Sequence, residues 1–278
     1  MVKQLFKLTA FISLLIALML FITCSNDLLG LFVSSDLDER LKSKDTFNLL
    51  DGSDLEADFG AEYSFVVFTD THIEDGNTYG LEGLTDVISG NPKIKFAVAL
   101  GDITQYGSEH DLQKFIDISN GFGIPCYPVI GNHDFYFDNW SVWNDNIGST
   151  SYKVNGTGTT LFILDSASTY FGKKQLDWLE SEIKKLDNSE HIFVFTHAPL
   201  FINGPADMQQ LTDIKERARI VSILKDKCDT MFMGHLHKRL ENTVGNVKYL
   251  GIEDFRSTKT YCVVTVSASG VTYEFKKL

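Results

Sequence analysis

Five short apolar segments of this chain each end at, or one residue before, a side chain that can bind a metal ion. The segments are rich in β-branched and aromatic residues, which is typical of buried strands, and they read YSFVVFT, IKFAVAL, CYPVI, HIFVFT and TMFM. The side chains that follow are, in the same order, Asp70 and His72, Asp102, Asn132 with His133 and Asp134, His197, and His235 with His237. Because ligands of open α/β sheets bind beyond the carboxyl ends of the strands, these ends predict one shared site.

Amphipathic segments lie between several of these strands. Apolar residues recur with a period of about 3.6 residues over 108–119, 173–186 and 213–227, as in helices that bury one face. Continuous apolar strands that alternate with such helices indicate an α/β fold in which helices cover the strands on both faces. No helical segment separates the last strands of the chain, so we expect part of the sheet structure to be antiparallel.

The distribution of histidine supports a metal site at the strand ends. Five of the seven histidines lie there, and we interpret the other two, His110 and His191, as ordinary surface residues. Each motif is weak when taken alone, since Asp-x-His occurs by chance and Gly-Asp often marks a turn. The five motifs in order make a strong signal. Imidazole together with carboxylate suits zinc, iron or manganese, and the cysteines match no zinc pattern.

The order of the motifs, D-x-H, G-D, G-N-H-D, H and G-H-x-H, resembles the calcineurin-like metallophosphoesterases over residues 65–237. The resemblance implies an α/β fold, a four-layer α/β/β/α sandwich of two mixed sheets, with a dimetal site at the C-terminal ends of strands. It implies two divalent ions, of manganese, iron or zinc, that share Asp102. The ligands of the first ion would be Asp70, His72, Asp102 and His237. The ligands of the second would be Asp102, Asn132, His197 and His235.

The same resemblance implies hydrolysis of a phosphoester by a hydroxide held between the two ions. His133 lies among the ligands without being one, which suits a general acid that protonates the leaving oxygen. Asp102 and Asp134 are the other predicted catalytic residues. Many relatives carry an aspartate three residues after the bridging one, where it orients the histidine, and here Gln105 takes that position. An amide does not stabilise an imidazolium as a carboxylate does, so slower catalysis or a part for Asp134 stays open.

Departures from the family pattern narrow the expected reaction. Segment 101–107, GDITQYG, lacks the arginine of serine/threonine protein phosphatases. Tyr106 lies four residues after Asp102, not three, so we expect it to pack or line the rim and not to bind metal as in purple acid phosphatases. The chain looks most similar to small bacterial phosphodiesterases related to the cyclic-nucleotide enzymes. We therefore expect phosphodiester hydrolysis, with a phosphomonoesterase or a catalytically weak metal-binding surface protein as the alternatives. Trp140 and Trp143 either stack on a substrate or pack their loop onto the domain.

The charge balance excludes broad nucleic-acid binding. The net charge is −12 and the pI is about 5.0, so no surplus of cations exists to replace the counterions of a phosphate backbone. A phosphate ester can still bind where local cations hold it, and bound metals would supply them. The expected partner at the site is therefore a small phosphoester.

The N-terminal segment has the composition of an export signal. Two lysines precede an apolar run over 8–23, which is shorter than the about 20 residues that a membrane-spanning helix needs. The residues before Cys24 resemble a bacterial lipobox, so we predict a protein of the bacterial cell envelope, lipid-anchored and facing the periplasm or the cell surface. An uncleaved membrane anchor and a plain secretory signal are the alternatives. We divide the chain into a signal peptide with lipobox over 1–24, a tether over 25–59 and a metallophosphoesterase domain over 60–278.

Overall fold

The computed structural model describes residues 37–41, 55–187, 191–202 and 210–278. All of these residues belong to one compact unit, Ser34–Leu278. The predicted signal peptide and lipobox over 1–24 lie outside the described residues. None of the described helices is both long and apolar enough to span a membrane.

Seven α-helices are described, and the three predicted from their periodicity are among them. The helices are α1 Leu37–Arg40, α2 Gly83–Ser89, α3 Glu109–Gly121, α4 Trp140–Asn146, α5 Lys173–Ile183, α6 Ile214–Leu224 and α7 Phe255–Thr258. A 3-10 segment, His133–Asp138, precedes α4. Ser108 caps α3 because its hydroxyl accepts a hydrogen bond from the backbone N–H of Asp111, and Asp213 caps α6 in the same way.

Twelve strands are described, and the five that the sequence analysis placed before polar residues are all present. In chain order the strands are β1 Leu55–Ala57, β2 Tyr63–Phe68, β3 Ile94–Ala99, β4 Cys126–Pro128, β5 Tyr152–Gly156, β6 Thr159–Ile163, β7 His191–Phe195, β8 Thr230–Met233, β9 Leu240–Val244, β10 Val247–Gly251, β11 Thr260–Ser267 and β12 Gly270–Lys277.

The strands form two mixed sheets. The first has seven strands in the order β1-β5-β6-β7-β8-β10-β9, and the second has five in the order β12-β11-β2-β3-β4. Strands β2, β3 and β4 are parallel to one another, as are β6, β7, β8 and β10. Strands β9, β11 and β12 add antiparallel pairs, which confirms the expectation of antiparallel strands near the C-terminus, although the short helix α7 lies between β10 and β11.

The main core lies between the two sheets. Phe65 of the five-stranded sheet is fully buried, and its ring centroid lies 5.1 Å from that of Phe193 and 6.1 Å from that of Phe195 in the seven-stranded sheet. Phe96 stacks on Phe65 from the neighbouring strand, with centroids 4.6 Å apart. Edge-on and stacked aromatic pairs of this kind stabilise a core beyond the area that they bury.

Helices cover the outer face of each sheet. Strand residues alternate between the two faces, so Phe68 points away from the inter-sheet core, and its ring contacts those of Phe122 and Phe255. On the seven-stranded sheet, a second apolar cluster joins Leu179 of α5 and Leu224 of α6 to buried strand residues. The order of layers is α/β/β/α, and the predicted fold class is confirmed.

Two described pieces of the segment expected to be a tether contact the domain that follows. Strand β1 pairs in parallel with β5. Arg40 of α1 is buried, and its Nε and Nη2 atoms lie 2.7 and 2.9 Å from the carboxylate of Asp165. Its guanidinium also lies 4.5 Å from the ring centroid of Phe135. The division of the chain into three parts stays a prediction.

Candidate metal centre

The predicted ligands come from neighbouring strand ends in both sheets. Strands β2, β3 and β4 lead to Asp70 and His72, to Asp102, and to Asn132. Strands β7 and β8 are adjacent in the other sheet and lead to His197, and to His235 with His237. Because the sheets pack face to face, their carboxyl ends meet at one edge of the sandwich, and the groups converge there as the sequence analysis expected.

The backbone at this edge adopts a conformation that most side chains avoid. Eleven of the described non-glycine residues have a positive φ, and five of these are predicted ligands: Asp70, His72, Asp102, His235 and His237. Aspartate and histidine tolerate the left-handed region better than bulkier residues do, and such outliers cluster at functional sites. The turns therefore aim consecutive polar side chains inward at the cost of local backbone strain.

Glycine permits the close approach of the strand ends. A Cβ atom on Gly131 would lie 2.1 Å from the backbone nitrogen of Asp102, and one on Gly234 would lie 2.2 Å from Oγ1 of Thr69. Both distances are shorter than any real carbon contact. The glycines that precede Asn132 and His235 are therefore required by packing.

Asp70, His72 and His237 form the first group of possible ligands. Nε2 of His237 lies 3.1 Å from Oδ1 of Asp70 and 3.3 Å from Nε2 of His72. Nε2 of His72 lies 3.8 Å from a carboxylate oxygen of Asp70 and equally far from one of Asp102. These are the separations expected of atoms that share one ion at about 2 Å from each.

Asp102, His197 and His235 form the second group. Nε2 of His197 lies 3.3 Å from Oδ2 of Asp102 and 3.1 Å from Nδ1 of His235. Nδ1 of His197 lies 2.8 Å from the carbonyl oxygen of Leu100, which fixes the ring and leaves Nε2 directed at the cluster. Asp102 thus lies between the two groups, in the position of a shared ligand.

Asn132 lies on the loop after β4. Its Nδ2 donates a hydrogen bond to the hydroxyl of Tyr136 at 2.9 Å, so Oδ1 is the atom that it would offer to an ion. Asn132 as a ligand of the second ion stays a prediction.

The chemistry of the two groups fits divalent cations. Within each group, two imidazole nitrogens face one another at hydrogen-bond distance, and an ion between them would use both lone pairs. Oδ1 of Asp70 and Nδ1 of His72 are buried and find no hydrogen-bond partner of good geometry among the described residues. Apart from the ion pair of this oxygen of Asp70 with His237, a metal ion would supply the partner that these buried groups lack.

Neighbouring histidines keep the carboxylates of Asp70 and Asp102 ionised, so both can bind cations. Burial acts to raise the pKa of Asp102, but His197 and His133 outweigh it and hold that pKa far below the ordinary value. For Asp70, the imidazoles of His237 and His72 outweigh burial in the same way and hold the pKa well below the ordinary value. Both groups are therefore charged at neutral pH.

The two histidines of the second group differ in charge in the metal-free protein. Burial acts to lower the pKa of His197, but the charge of Asp102 and its hydrogen bond raise it to about 9. Burial and the neighbouring His197 lower the pKa of His235 to about 4. His235 is therefore neutral at pH 7 and ready to bind an ion, whereas His197 must first lose a proton.

His133 lies beside the cluster with only 4% of its surface exposed. Its ring centroid is 4.7 Å from that of His72, and its Nε2 lies 4.0 Å from Oδ2 of Asp102. Nδ1 lies 2.8 Å from the backbone carbonyl oxygen of Gln105. Because a carbonyl only accepts, Nδ1 carries a proton in this pair, and Nε2 is the atom directed at the site.

Asp134 uses both carboxylate oxygens to hold loops together. Oδ1 accepts hydrogen bonds from the backbone N–H and the hydroxyl of Thr104, at 2.8 and 3.2 Å, and Oδ2 accepts one from the N–H of Gly131 at 2.9 Å. Burial and the charge of Asp102 raise its pKa to about 7. These contacts join the loops after β3 and β4, and a catalytic role for Asp134 stays a prediction.

Arg256 at the edge of the site was missed in the sequence analysis. Its Nη1 donates to Oε1 of Gln105 at 2.9 Å and its Nη2 to Oε2 of Glu74 at 3.0 Å, while its backbone N–H donates to the carbonyl of Asp70. Its guanidinium lies 4.7 Å from the ring centroid of Tyr79. Arg256 follows β10, which neighbours β8, and no local sequence pattern reports this order of strands.

The aromatic residues near the site divide into packed and exposed ones. Trp143 is fully buried and Trp140 is 9% exposed, so both pack their loop onto the domain. Tyr106 and Phe137 are 36% and 43% exposed. Tyr106 therefore lines the rim, one of the two positions expected for it.

The histidines outside the motifs lie away from the cluster. The side chain of His110 is 64% exposed, which agrees with a surface residue. His191 at the start of β7 is 30% exposed and pairs with Asp229 at 3.2 Å. The three cysteines of the described part of the chain, Cys126, Cys228 and Cys262, are free thiols that contribute nothing to the cluster.

Comparison with known proteins agrees with this geometry. A 3′,5′-cyclic-nucleotide phosphodiesterase of Nostoc sp. is 24% identical over 204 residues, which cover 68% of this chain and 76% of that protein. A protein of Rhodopseudomonas palustris named "Probable cyclic nucleotide phosphodiesterase" is 25% identical over 197 residues, or 63% of this chain and 71% of that one. The crystal structure of a dimetal phosphatase from Danio rerio has the same fold, with a TM-score of 0.63 at 15% identity, covering 77% of this chain and 96% of that one.

The family described as calcineurin-like phosphoesterase matches residues 63–239, and this range contains all the predicted ligands. The matched range is more than half of the chain. This chain therefore belongs to the calcineurin-like phosphoesterase family.

Proposed function

We propose that this protein hydrolyses phosphodiesters with two divalent metal ions of manganese, iron or zinc. The observation that carries the proposal is the position of Asp102, whose Oδ2 lies 3.8 Å from Nε2 of His72 in one group and 3.3 Å from Nε2 of His197 in the other. A carboxylate between two sets of imidazoles is suited to bridge two ions.

The residues that would hold the ions divide between the two groups. Asp70, His72, Asp102 and His237 would hold one, and Asp102, Asn132, His197 and His235 the other. When bound, two divalent cations activate a water molecule as the nucleophile near neutral pH and neutralise the charge of the phosphoryl oxygens. This explains how an acidic chain can bind an anionic ester.

His133 supplies the proton for the leaving oxygen. Its Nδ1 donates to the carbonyl of Gln105, so a proton for the leaving oxygen would come from Nε2, which faces the cluster. Burial lowers the pKa of His133, which makes the protonated ring a stronger acid. A proton donor within reach of the leaving oxygen contributes about 10²- to 10⁴-fold to the rate of such reactions. The backbone carbonyl orients the ring without the carboxylate that many relatives use.

Support for diesters over monoesters comes from the relatives. The proteins of Nostoc and Rhodopseudomonas palustris are both named as cyclic-nucleotide phosphodiesterases. A phosphomonoesterase and a catalytically weak metal-binding surface protein are the competing functions, and the same assay separates all three.

We also propose that the protein is exported and lipid-anchored at Cys24 in the bacterial cell envelope, facing the periplasm or the cell surface. The charged N-terminus, the apolar run over 8–23 and the lipobox-like residues before Cys24 support this proposal. A small phosphoester would then be the soluble partner and the membrane the attachment site. Incorporation of labelled palmitate into the wild-type chain, and its loss in Cys24→Ala, tests this placement.

The assay of the proposed reaction uses the full-length protein in detergent, loaded with Mn²⁺. Bis(p-nitrophenyl) phosphate and p-nitrophenyl phosphate are compared as diester and monoester. We expect faster turnover of the diester. For an alkyl phosphodiester, whose leaving oxygen needs a proton, we expect a loss of about 10²-fold or more in kcat for His133→Ala. Bound metal with no turnover of either ester would refute the proposed hydrolysis and favour the metal-binding surface protein.

A further inference from the structure

Two aromatic side chains are exposed beside each other at the rim of the metal centre. Tyr106 is 36% exposed and Phe137 is 43% exposed, and their ring centroids lie 5.9 Å apart. Only five large hydrophobic side chains are exposed among the described residues, and Tyr106 and Phe137 are the two aromatic ones of these five. An exposed aromatic pair at the rim of a site indicates contact with a ligand.

Both residues are tied to His133 through their chain neighbours. Tyr106 follows Gln105, whose carbonyl lies 2.8 Å from Nδ1 of His133. Phe137 follows Tyr136, whose ring centroid lies 4.3 Å from that of His133. The pair therefore lies on the side of the metal centre that carries the proton donor.

The backbone of Phe137 is strained without an evident packing reason. Its φ of 58° and ψ of 32° lie in the left-handed region, which a bulky side chain disfavours. A buried ring could offset such strain through its contacts, but this ring is 43% exposed. Strain that packing does not explain is typical of residues held for binding.

The two loops that carry the pair are clamped together. Nδ2 of Asn139 donates to the carbonyl of Tyr106 at 3.0 Å. Gly107 has a φ of +66°, and a Cβ atom on it would lie 2.6 Å from the carbonyl oxygen of Asp134. The rings are thus presented on rigid supports, which lowers the entropy cost of binding a flat group.

We propose that Tyr106 and Phe137 bind an aromatic ring in the leaving group of the substrate. The inference rests on the proposed hydrolysis. In an in-line displacement the nucleophile and the leaving group lie on opposite sides of phosphorus, and the proton donor is on the leaving-group side. Because the pair flanks His133, it contacts the departing alcohol and not the part of the ester that stays with phosphorus. A flat ring stacks on exposed aromatic side chains, as nucleobases do.

The test measures binding of two phosphinates, benzyl(methyl)phosphinate and ethyl(methyl)phosphinate, to the metal-loaded full-length protein by calorimetry. Neither compound has a P–O–C bond that the protein could hydrolyse. The two differ only in that a phenyl ring replaces a methyl group. We expect wild type to bind the benzyl compound about tenfold more tightly. Tyr106→Ala and Phe137→Asn should lose this preference while the ethyl compound binds as before. Val244→Ala is the matched control, since Val244 is 39% exposed at the hairpin end of β9.

Thermal unfolding separates a ligand role from a structural one. Asparagine tolerates the left-handed backbone better than phenylalanine, so Phe137→Asn should keep or raise the melting temperature while it loses the benzyl preference. Equal binding of both phosphinates by wild type, or an unchanged preference in both variants, would overturn the inference. Because binding is measured without turnover, this result is independent of the phosphodiesterase assay, and failure of that assay alone identifies failure of the proposed function.

Discussion

Nδ1 of His133 lies 2.8 Å from the backbone carbonyl oxygen of Gln105, and the side chain of Gln105 turns away to Arg256. The tautomer and orientation of the histidine are therefore set by main chain, not by the side chain at this position. Residue 105 offers no carboxylate, and a main-chain carbonyl serves as the acceptor that orients the ring, without the negative charge that would stabilise an imidazolium.

Replacing the Gln105 side chain should have little effect on the rate. Because the backbone carbonyl remains in Gln105→Ala, we expect kcat for an alkyl phosphodiester to fall less than about fivefold, against about 10²-fold or more for His133→Ala. Steady-state kinetics of both variants decides. A loss in Gln105→Ala as large as that in His133→Ala would mean that the side chain orients the ring.

Arg256 should act as a positioning residue for the loop that carries this carbonyl. Arg256→Met removes the link between Gln105 and Glu74, and we expect kcat to fall several-fold with KM nearly unchanged. The loss should be larger for an alkyl leaving group than for p-nitrophenolate, because protonation of the leaving oxygen matters more for a poor leaving group.

The control for Arg256→Met is Arg239→Met, which removes an exposed ion pair with Glu241. Stability should change by about 0–1 kcal/mol in both variants, since both arginines are partly exposed. An equal loss of rate for alkyl and aryl esters in Arg256→Met would contradict the positioning role. It would mean that the substitution disturbs the site as a whole.

Metal binding should release a proton at pH 7. The pKa of His197 is raised to about 9 in the metal-free protein, so its ring is protonated and must give up that proton to bind an ion. Apparent affinity for Mn²⁺ should therefore rise with pH up to about 9. Calorimetric titrations in two buffers of different ionisation enthalpy measure the proton directly, and equal heats in both buffers would contradict the prediction.

The raised pKa of His197 should make the metal-free protein less stable as pH rises, whereas metal affinity increases over the same range. A histidine whose pKa rises from 6.5 to about 9 on folding contributes stability that is complete below pH 6.5 and is lost as pH rises through about 9. Removing the metal with a chelator should therefore give a protein whose melting temperature falls between these pH values. The melting temperature of the metal-loaded protein should fall less over this interval.

The ion pair between Arg40 and Asp165 should stabilise the whole domain. Both side chains are fully buried, so Arg40→Met leaves an uncompensated carboxylate in the core, at a cost of about 3–5 kcal/mol. Urea unfolding measures the difference. Lys93→Met is the control, because the pair of Lys93 with Glu62 is exposed and contributes about 0–1 kcal/mol. Equal effects of the two substitutions would show that α1 does not stabilise the fold.

The candidate metal ligands could be identified in the sequence because their signal is local. A run of apolar residues indicates a buried strand. His197 and Asp102 can be recognised next to such runs without any knowledge of distant contacts. The helices had an equally local signal in their periodicity. Element types and candidate ligands were therefore accessible from the sequence, and the family resemblance added which ligands share an ion.

Other features depend on which strands are neighbours, and no local pattern encodes that. Arg40 meets Asp165 across 125 residues, and Arg256 meets Gln105 across 151. The contact of Tyr106 with Phe137 likewise requires the loops after β3 and β4 to be adjacent.

The sequence by itself determined the α/β class, the helices α3, α5 and α6, the five strands that precede polar residues, and the polar side chains at those strand ends. Only the tertiary structure decided that a main-chain carbonyl holds His133, that Arg256 borders the site and that residues 37–41 pack into the domain. The physical reason is that hydrophobic patterning specifies which face of each element is buried, whereas the order and register of strands come from packing of the whole chain.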